Sequence, residues 1–340
     1  MSVAAMEEIG FPWIAAPLAR LPARIADLPG ALLLRGQPGL GKKTMALFLA
    51  KAILCESARD GLGACGTCAS CHLIAAGNHP DLRLVELATE ENQPGEGDEV
   101  ASTTKKPSKQ ISVDRIRSLG EFVTTTAYRG RVKVILIAPA ESMHPAAANA
   151  VLKILEEPPG NTCFLLVSHQ PDRLLPTIRS RCFQVPFAPP APYAALDWLK
   201  GRGVEQPELA LAQGGYAPLA AVAKAETPEY WTQRKLLLEV MARPGFNPLI
   251  ATERAEPIES PVLAGLLQQW AYDIAVIKSG GKVRYHLDYR SALEKLAGEA
   301  RPEALMAWYD TVIQYGRVSQ HPLNKRLAVE SVLYGYPGLH

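Results

Sequence analysis

The seven residues Gly36-Gln-Pro-Gly-Leu-Gly41-Lys42 constrain this chain more than any others. They follow the apolar run 31–35 (ALLLR) and precede Lys42–Leu54, a stretch of helical composition without Gly or Pro. Strand, Gly-rich loop and helix in that order match G-x-x-x-x-G-K. There the glycines let backbone N–H groups wrap a phosphate, and the lysine neutralises it at the positive end of the helix. Gly36, Gly39, Gly41, Lys42, Lys43 and Thr44 are therefore the candidate phosphate-binding residues. The loop is degenerate. The hydroxyl that should follow the lysine and hold Mg²⁺ is replaced by Lys43, and Thr44 lies about 100° further around the helix.

Further apolar runs at 82–86, 132–137 and 163–168 read as buried parallel strands, separated by helical segments near 112–126 and 145–157. This alternation predicts an α/β fold, a parallel sheet covered by helices. The helix at 145–157 opens on Pro145, carries Ala148, Val151, Leu152 and Leu155 on one face, and stops at Pro158-Pro159-Gly160. A hydrolysing P-loop protein needs carboxylates at the end of a neighbouring strand. The strand at 132–137 runs instead into Ala138-Pro139-Ala140, and Glu141 reads as the cap region of the next helix.

Four of the six cysteines, Cys55, Cys65, Cys68 and Cys71, fall within 17 residues as C-x9-C-x2-C-x2-C. This spacing points to a metal rather than to disulfides. Zinc, an iron–sulfur cluster and unmetallated thiols all remain compatible with the residues. In iron–sulfur runs, however, the fourth cysteine usually follows the other three, whereas here it precedes them. His72 and His79 are dispensable as ligands if four thiolates close the site.

Residues 88–110 hold acids first and lysines after, with Val100 their one large apolar residue, and read as an exposed, mobile insertion. The proline-rich 186–192 stretch marks a domain boundary, beyond which the pattern is helical at roughly 193–243, 260–278, 302–316 and 322–335. Trp13 and Trp270 read as packing residues, and His321-Pro322 as the first turn of the last helix. At 340 residues two or three domains are expected, and a formal net charge of +2 gives no bulk attraction to nucleic acid or acidic lipid. No apolar run reaches bilayer-spanning length and the N-terminus lacks a secretory pattern, so a cytoplasmic protein without membrane contact is expected. No Gly-x-Ser-x-Gly elbow or zinc-protease helix is present.

The loop ALLLRGQPGLGKKT, the cysteine cluster, NHPD at 78–81, ANAVLKILEEPPGNTCFLLVS at 148–168 and LLPTIRSRC at 174–182 together resemble the AAA+ subunits of the bacterial DNA polymerase III clamp loader. Their order and separation match over about 150 residues. In this family the ATP-hydrolysing gamma/tau type keeps an intact P-loop and an acidic pair at the strand end. That pair falls here on Ala138 and Pro139, so the chain resembles the non-hydrolysing branch of the family. The resemblance implies structural Zn²⁺ on the four cysteines. It also implies that Arg181, in Ser180-Arg181-Cys182, acts as an arginine finger in a neighbouring subunit's ATP site, with Arg179 the weaker candidate. Glu156-Glu157 then belong to a structural helix end. The implied partners are the gamma/tau and delta subunits, with the sliding clamp and primed DNA reached through the complex.

The implied layout is an AAA+ P-loop domain over 1–187 with a zinc module at about 55–80, a small helical lid over 188–245 and an all-helical collar over 246–340. No ATP turnover is expected of the chain alone, and ATP binding is left open, because Lys42 is retained while the Mg²⁺-handling residues are not. The rivals are an active gamma/tau-type ATPase, opposed by Lys43 and Ala138-Pro139, and a zinc-ribbon nucleic-acid-binding protein. The second would need a basic stripe with aromatic rings, and residues 55–82 offer only Arg59, with Arg83 just beyond and no ring.

Overall fold

The computed structural model describes residues 10–57, 62–87, 110–129, 132–156, 161–319 and 324–336. The expected insertion over 88–110 lies, but for Gln110, outside the described residues, as do Glu157, Pro158-Pro159-Gly160 and His321-Pro322. The chain divides into two compact units, Met1–Pro190 and Ala191–His340.

The first unit is built on five strands: β1 (Ala31–Arg35), β2 (Leu82–Glu86), β3 (Lys133–Ala138), β4 (Thr162–Ser168) and β5 (Phe183–Pro186). All described pairings are parallel, in the order β2-β3-β4-β1-β5. Leu32–Leu34, Val134–Ile137 and Leu165–Val167 are completely buried, as strands covered on both faces must be. Four of these strands correspond to the apolar runs within a residue at either end. The fifth was not anticipated. It is a four-residue edge strand that ends on Pro186, a position where a missing N–H costs no ladder bond.

Besides a single helical turn at Ala15–Leu18, the helices described in this unit are α1 (Lys42–Leu54), α2 (Ala69–Ala75), α3 (Val113–Thr124), α4 (Pro145–Glu156) and α5 (Pro176–Arg181). Ile116, Leu119, Phe122 and Val123 of α3 share a core with Ala147, Ala148 and Val151 of α4 and the buried face of the sheet. The sheet places the Gly-rich loop at the carboxyl end of β1. There the chain reverses direction across the sheet, with β4 on one side and β5 on the other, the position at which open parallel sheets form their ligand crevices.

The second unit contains α6 (Pro192–Gly201), α7 (Pro207–Gln213), α8 (Pro218–Ala225), α9 (Pro228–Met241), α10 (Pro248–Ala255), α11 (Ser260–Lys278), α12 (Arg290–Glu299), α13 (Pro302–Val318) and α14 (Lys325–Tyr334). Proline opens six of these nine helices, where its fixed φ helps and its missing N–H costs nothing. One hydrophobic cluster gathers Ala195, Leu199, Ala210, Leu211 and Ala221. A larger one centres on Trp270, Trp308 and Tyr336. In it the Trp270 indole donates to the Tyr336 hydroxyl at 2.9 Å, and that hydroxyl donates to the Met241 carbonyl at 2.9 Å. Trp270 is thus a core residue whose polar edge is satisfied.

Candidate functional site

The Gly-rich loop has the conformation its glycines require. Gly36 (φ 147°) lies so close to the β5 exit that a Cβ there would stand 2.3 Å from the Phe187 carbonyl oxygen. Gly41 (φ 83°) forms the start of α1 in the left-handed region, with its missing Cβ replaced by the Phe11 ring 2.6 Å away. Phe11 stacks on Trp13, whose indole donates to the Leu40 carbonyl at 3.0 Å, so an aromatic pair from the N-terminal segment braces the loop. Trp13 packs as expected, and it does so against the candidate site.

The chemistry of the loop is turned inward. Lys42 is 2% exposed, and its ammonium donates to the carbonyls of Gly36 at 2.5 Å and Gln37 at 2.6 Å. Burial lowers its pKa to about 8, with the negative charge of Glu141 pulling the other way. Lys43 forms an ion pair with Glu86, at the end of β2, at 2.5 Å. Thr44 is exposed. At the end of β3, Ala138 and the following Pro139 present no carboxylate.

Glu141 departs from its expected role. It sits in a short turn before α4, where its carboxylate accepts the His169 amide at 2.9 Å and so ties the end of β3 to the end of β4. Its other oxygen, the His169 Nδ1 and the Ser168 hydroxyl are buried without hydrogen-bond partners. Burial lowers the His169 pKa, and nearby Lys42 adds to the effect. Glu141, Ser168 and His169 therefore line the loop's inner side, which local sequence did not reveal. The available signal was that β4 pairs with β1 and delivers its last residues beside the loop.

The four predicted cysteines come together. Their sulfur atoms all lie within 4.8 Å of one another, with Cys55–Cys68 and Cys65–Cys71 at 3.9 Å. Four thiolates at about 2.3 Å from a tetrahedral zinc stand about 3.8 Å apart, so the donor set fits that ion. Backbone amides already point at the sulfurs: Cys65 N at Cys55 Sγ (3.2 Å), Cys68 N at Cys65 Sγ (3.3 Å) and Cys71 N at Cys68 Sγ (3.4 Å). The Thr67 and Cys68 amides lower the Cys65 thiol to about 6, whereas burial raises Cys71 to about 12.

Neither candidate histidine belongs to the ligand set. His72 is exposed, and His79 spends both nitrogens elsewhere. Its Nδ1 accepts the Asp81 amide at 3.1 Å, which leaves Nε2 to donate to Ser70 Oγ at 3.1 Å. Ser70 in turn donates to Glu56, which pairs with Arg129 at 3.2 Å. The NHPD segment therefore anchors the cysteine module to the sheet.

Arg181 is the last residue of α5. Its guanidinium donates to the Thr177 carbonyl at 3.1 Å and pairs with Glu156, the last residue of α4, at 2.6 Å. Arg179 is engaged by Asp172 at 2.9 Å. Among the described residues no helix is long and apolar enough to cross a membrane.

A parallel sheet with a Gly-rich loop after its first strand, a cysteine module following the loop helix and a helical second unit define a protein of the AAA+ class. A family described as "DNA polymerase III, delta subunit" matches residues 23–191. The DNA polymerase III subunit delta' of Pseudomonas aeruginosa is 35% identical over 345 residues, which cover 97% of this chain and 98% of that protein. The subunit delta' of Escherichia coli is 33% identical over 237 residues, 68% of this chain and 65% of that one. Among solved structures, a gamma subunit-related DNA polymerase III protein from Thermotoga maritima aligns at 18% identity over 91% of this chain and 95% of its own, with a TM-score of 0.43. The chain belongs to the family of DNA polymerase III delta' subunits.

Proposed function

We propose that this chain is a non-hydrolysing subunit of a DNA polymerase III clamp loader, in which it assembles with gamma/tau and delta subunits to place a sliding clamp on primed DNA. The observation that carries the reading is the similarity, over 97% of this chain, to a relative named delta'. The loop supports it, because Lys42 is bonded to the loop's own carbonyls and Lys43, which pairs with Glu86, stands where a hydrolysing loop has its Mg²⁺-holding hydroxyl. ATP turnover would then belong to the gamma/tau sites, and the isolated chain would turn over none.

Arg181 is the residue this subunit would contribute to a neighbour's site. A planar, permanently charged guanidinium stabilises the charge that builds on a transferring phosphoryl group, an effect worth about 10³–10⁵ in rate at a single site. Its position at the end of a short helix, 36% exposed, suits that reach. The four thiolates would hold zinc as a closed structural site. The second unit would divide near residue 245 into a lid and a collar through which the complex assembles, and the whole would work in the cytoplasm. The test is ATP turnover by a complex reconstituted with gamma/tau, delta, clamp and primed DNA. Arg181→Ala should cut turnover at least tenfold with assembly intact. Undiminished turnover in an intact complex overturns the finger, and failure to assemble with gamma/tau and delta overturns the function.

A further inference from the structure

Arg181 is not free at the surface of its own domain. Glu156 holds it at 2.6 Å, and the two side chains are 36% and 48% exposed. A carboxylate on the last residue of α4 faces the negative end of that helix, where an acid is disfavoured unless a cation compensates. Arg181 is the compensating cation, and the Thr177 carbonyl takes one more of its five donors. To stabilise a phosphate on another chain the guanidinium has to leave this carboxylate. The pair sits in water on a surface, where such bridges are weak enough to exchange. A nucleotide triphosphate offers several charged oxygens to the same fork, and so outcompetes a single carboxylate.

We propose that Glu156 is a positioning residue for Arg181: it parks the guanidinium on its own domain until a neighbouring site is filled by a nucleotide triphosphate. The inference rests on the reading of Arg181 as a finger. Parking reduces the fraction of subunits whose finger is competent, and the apparent nucleotide affinity of the neighbouring site falls by that fraction. The γ-phosphate is already charged before reaction, so the cost falls on binding.

The experiment is the dependence of steady-state turnover on Mg-ATP concentration in the reconstituted complex, with assembly checked by size-exclusion chromatography. Glu156→Gln, which keeps the size and polarity of the side chain, should lower KM for ATP about two- to fivefold at unchanged kcat, the range set by the strength of an exposed ion pair. In an Arg181→Ala background the same substitution should shift nothing. An unchanged KM for Glu156→Gln overturns the parking role while leaving the finger intact. A raised KM or lowered kcat overturns it too, by showing that Glu156 aims the arginine rather than restrains it. Undiminished turnover by Arg181→Ala alone overturns the finger reading on which the proposal stands.

Discussion

The Gly-rich loop and the cysteine cluster occupy the two ends of one helix, α1, about 20 Å apart by its 13 residues. Gly41 precedes the first residue of α1 and Cys55 follows the last. Both ends carry a motif of a kind that can hold a charged guest, a phosphate at one and a metal ion at the other. At the first end the polar groups are bonded to the protein's own atoms: Lys42 donates to two loop carbonyls, Lys43 pairs with Glu86, and an aromatic ring covers Gly41. At the second end the sulfurs contact one another and receive amide N–H groups, an arrangement suited to concentrating negative charge. Survival of a motif therefore says less than the present partners of its polar atoms. The lysines of the loop are already bonded within the protein, whereas the four thiols face a common point at which a metal ion fits.

The largest effect expected from this contrast is at Cys71, which is 2% exposed. Cys71→Ser should abolish stoichiometric zinc, measured by atomic absorption on the purified chain, and open the module to proteolysis. Metal binding to such sites supplies about 10–16 kcal/mol of apparent folding energy. Full zinc retention would show that three thiolates suffice and would remove Cys71 from the ligand set. A smaller effect is expected at Lys42. Lys42→Ala leaves the Gly36 and Gln37 carbonyls without their donor and should cost about 1–3 kcal/mol in urea unfolding; the isolated chain should show no ATP turnover with or without the substitution.

The same lysine carries a pH signature. Its pKa is about 8 in the folded chain against an ordinary 10.5. Between those values the unfolded chain holds a proton that the folded one has released, so the contribution of Lys42 to stability rises with pH across that window. Urea midpoints from pH 7.5 to 10.5 should show that rise in the wild type relative to Lys42→Ala. An identical slope in both would place the ammonium in water rather than in the loop.

The parts of this arrangement readable from sequence are those fixed by neighbours along the chain. Four strands were apolar runs bounded by turns, the loop helix spans Lys42–Leu54 as composition indicated, and cysteines two residues apart have few ways to point apart. What local pattern could not supply was contact between distant segments. β5 is four residues long with Phe183 42% exposed, and it is a strand only because β1 offers it an edge. The short helices α10 and α12 are too brief for periodicity to mark them, although Pro248 starts the first. Glu141 and Glu156 both read as acids at helix ends. One instead ties β3 to β4 across 28 residues, and the other compensates its helix end with an arginine from another helix.

The subtlest prediction asks whether the loop's departure from a hydrolysing pattern lies in one residue or in two places. Lys43→Thr restores the hydroxyl expected to hold Mg²⁺ and removes the partner of Glu86. The Lys43 side chain is 49% exposed, so the lost ion pair should change stability by no more than about 1 kcal/mol. Turnover should remain absent, because Mg²⁺ held only from the loop leaves the attacking water without a carboxylate, and β3 still ends on Ala138-Pro139. Steady hydrolysis by the purified Lys43→Thr chain, abolished by adding Lys42→Ala, would break the contrast between the two ends of α1. Glu141, half-buried beside the loop with one buried, unpartnered oxygen, would then be the carboxylate to substitute next.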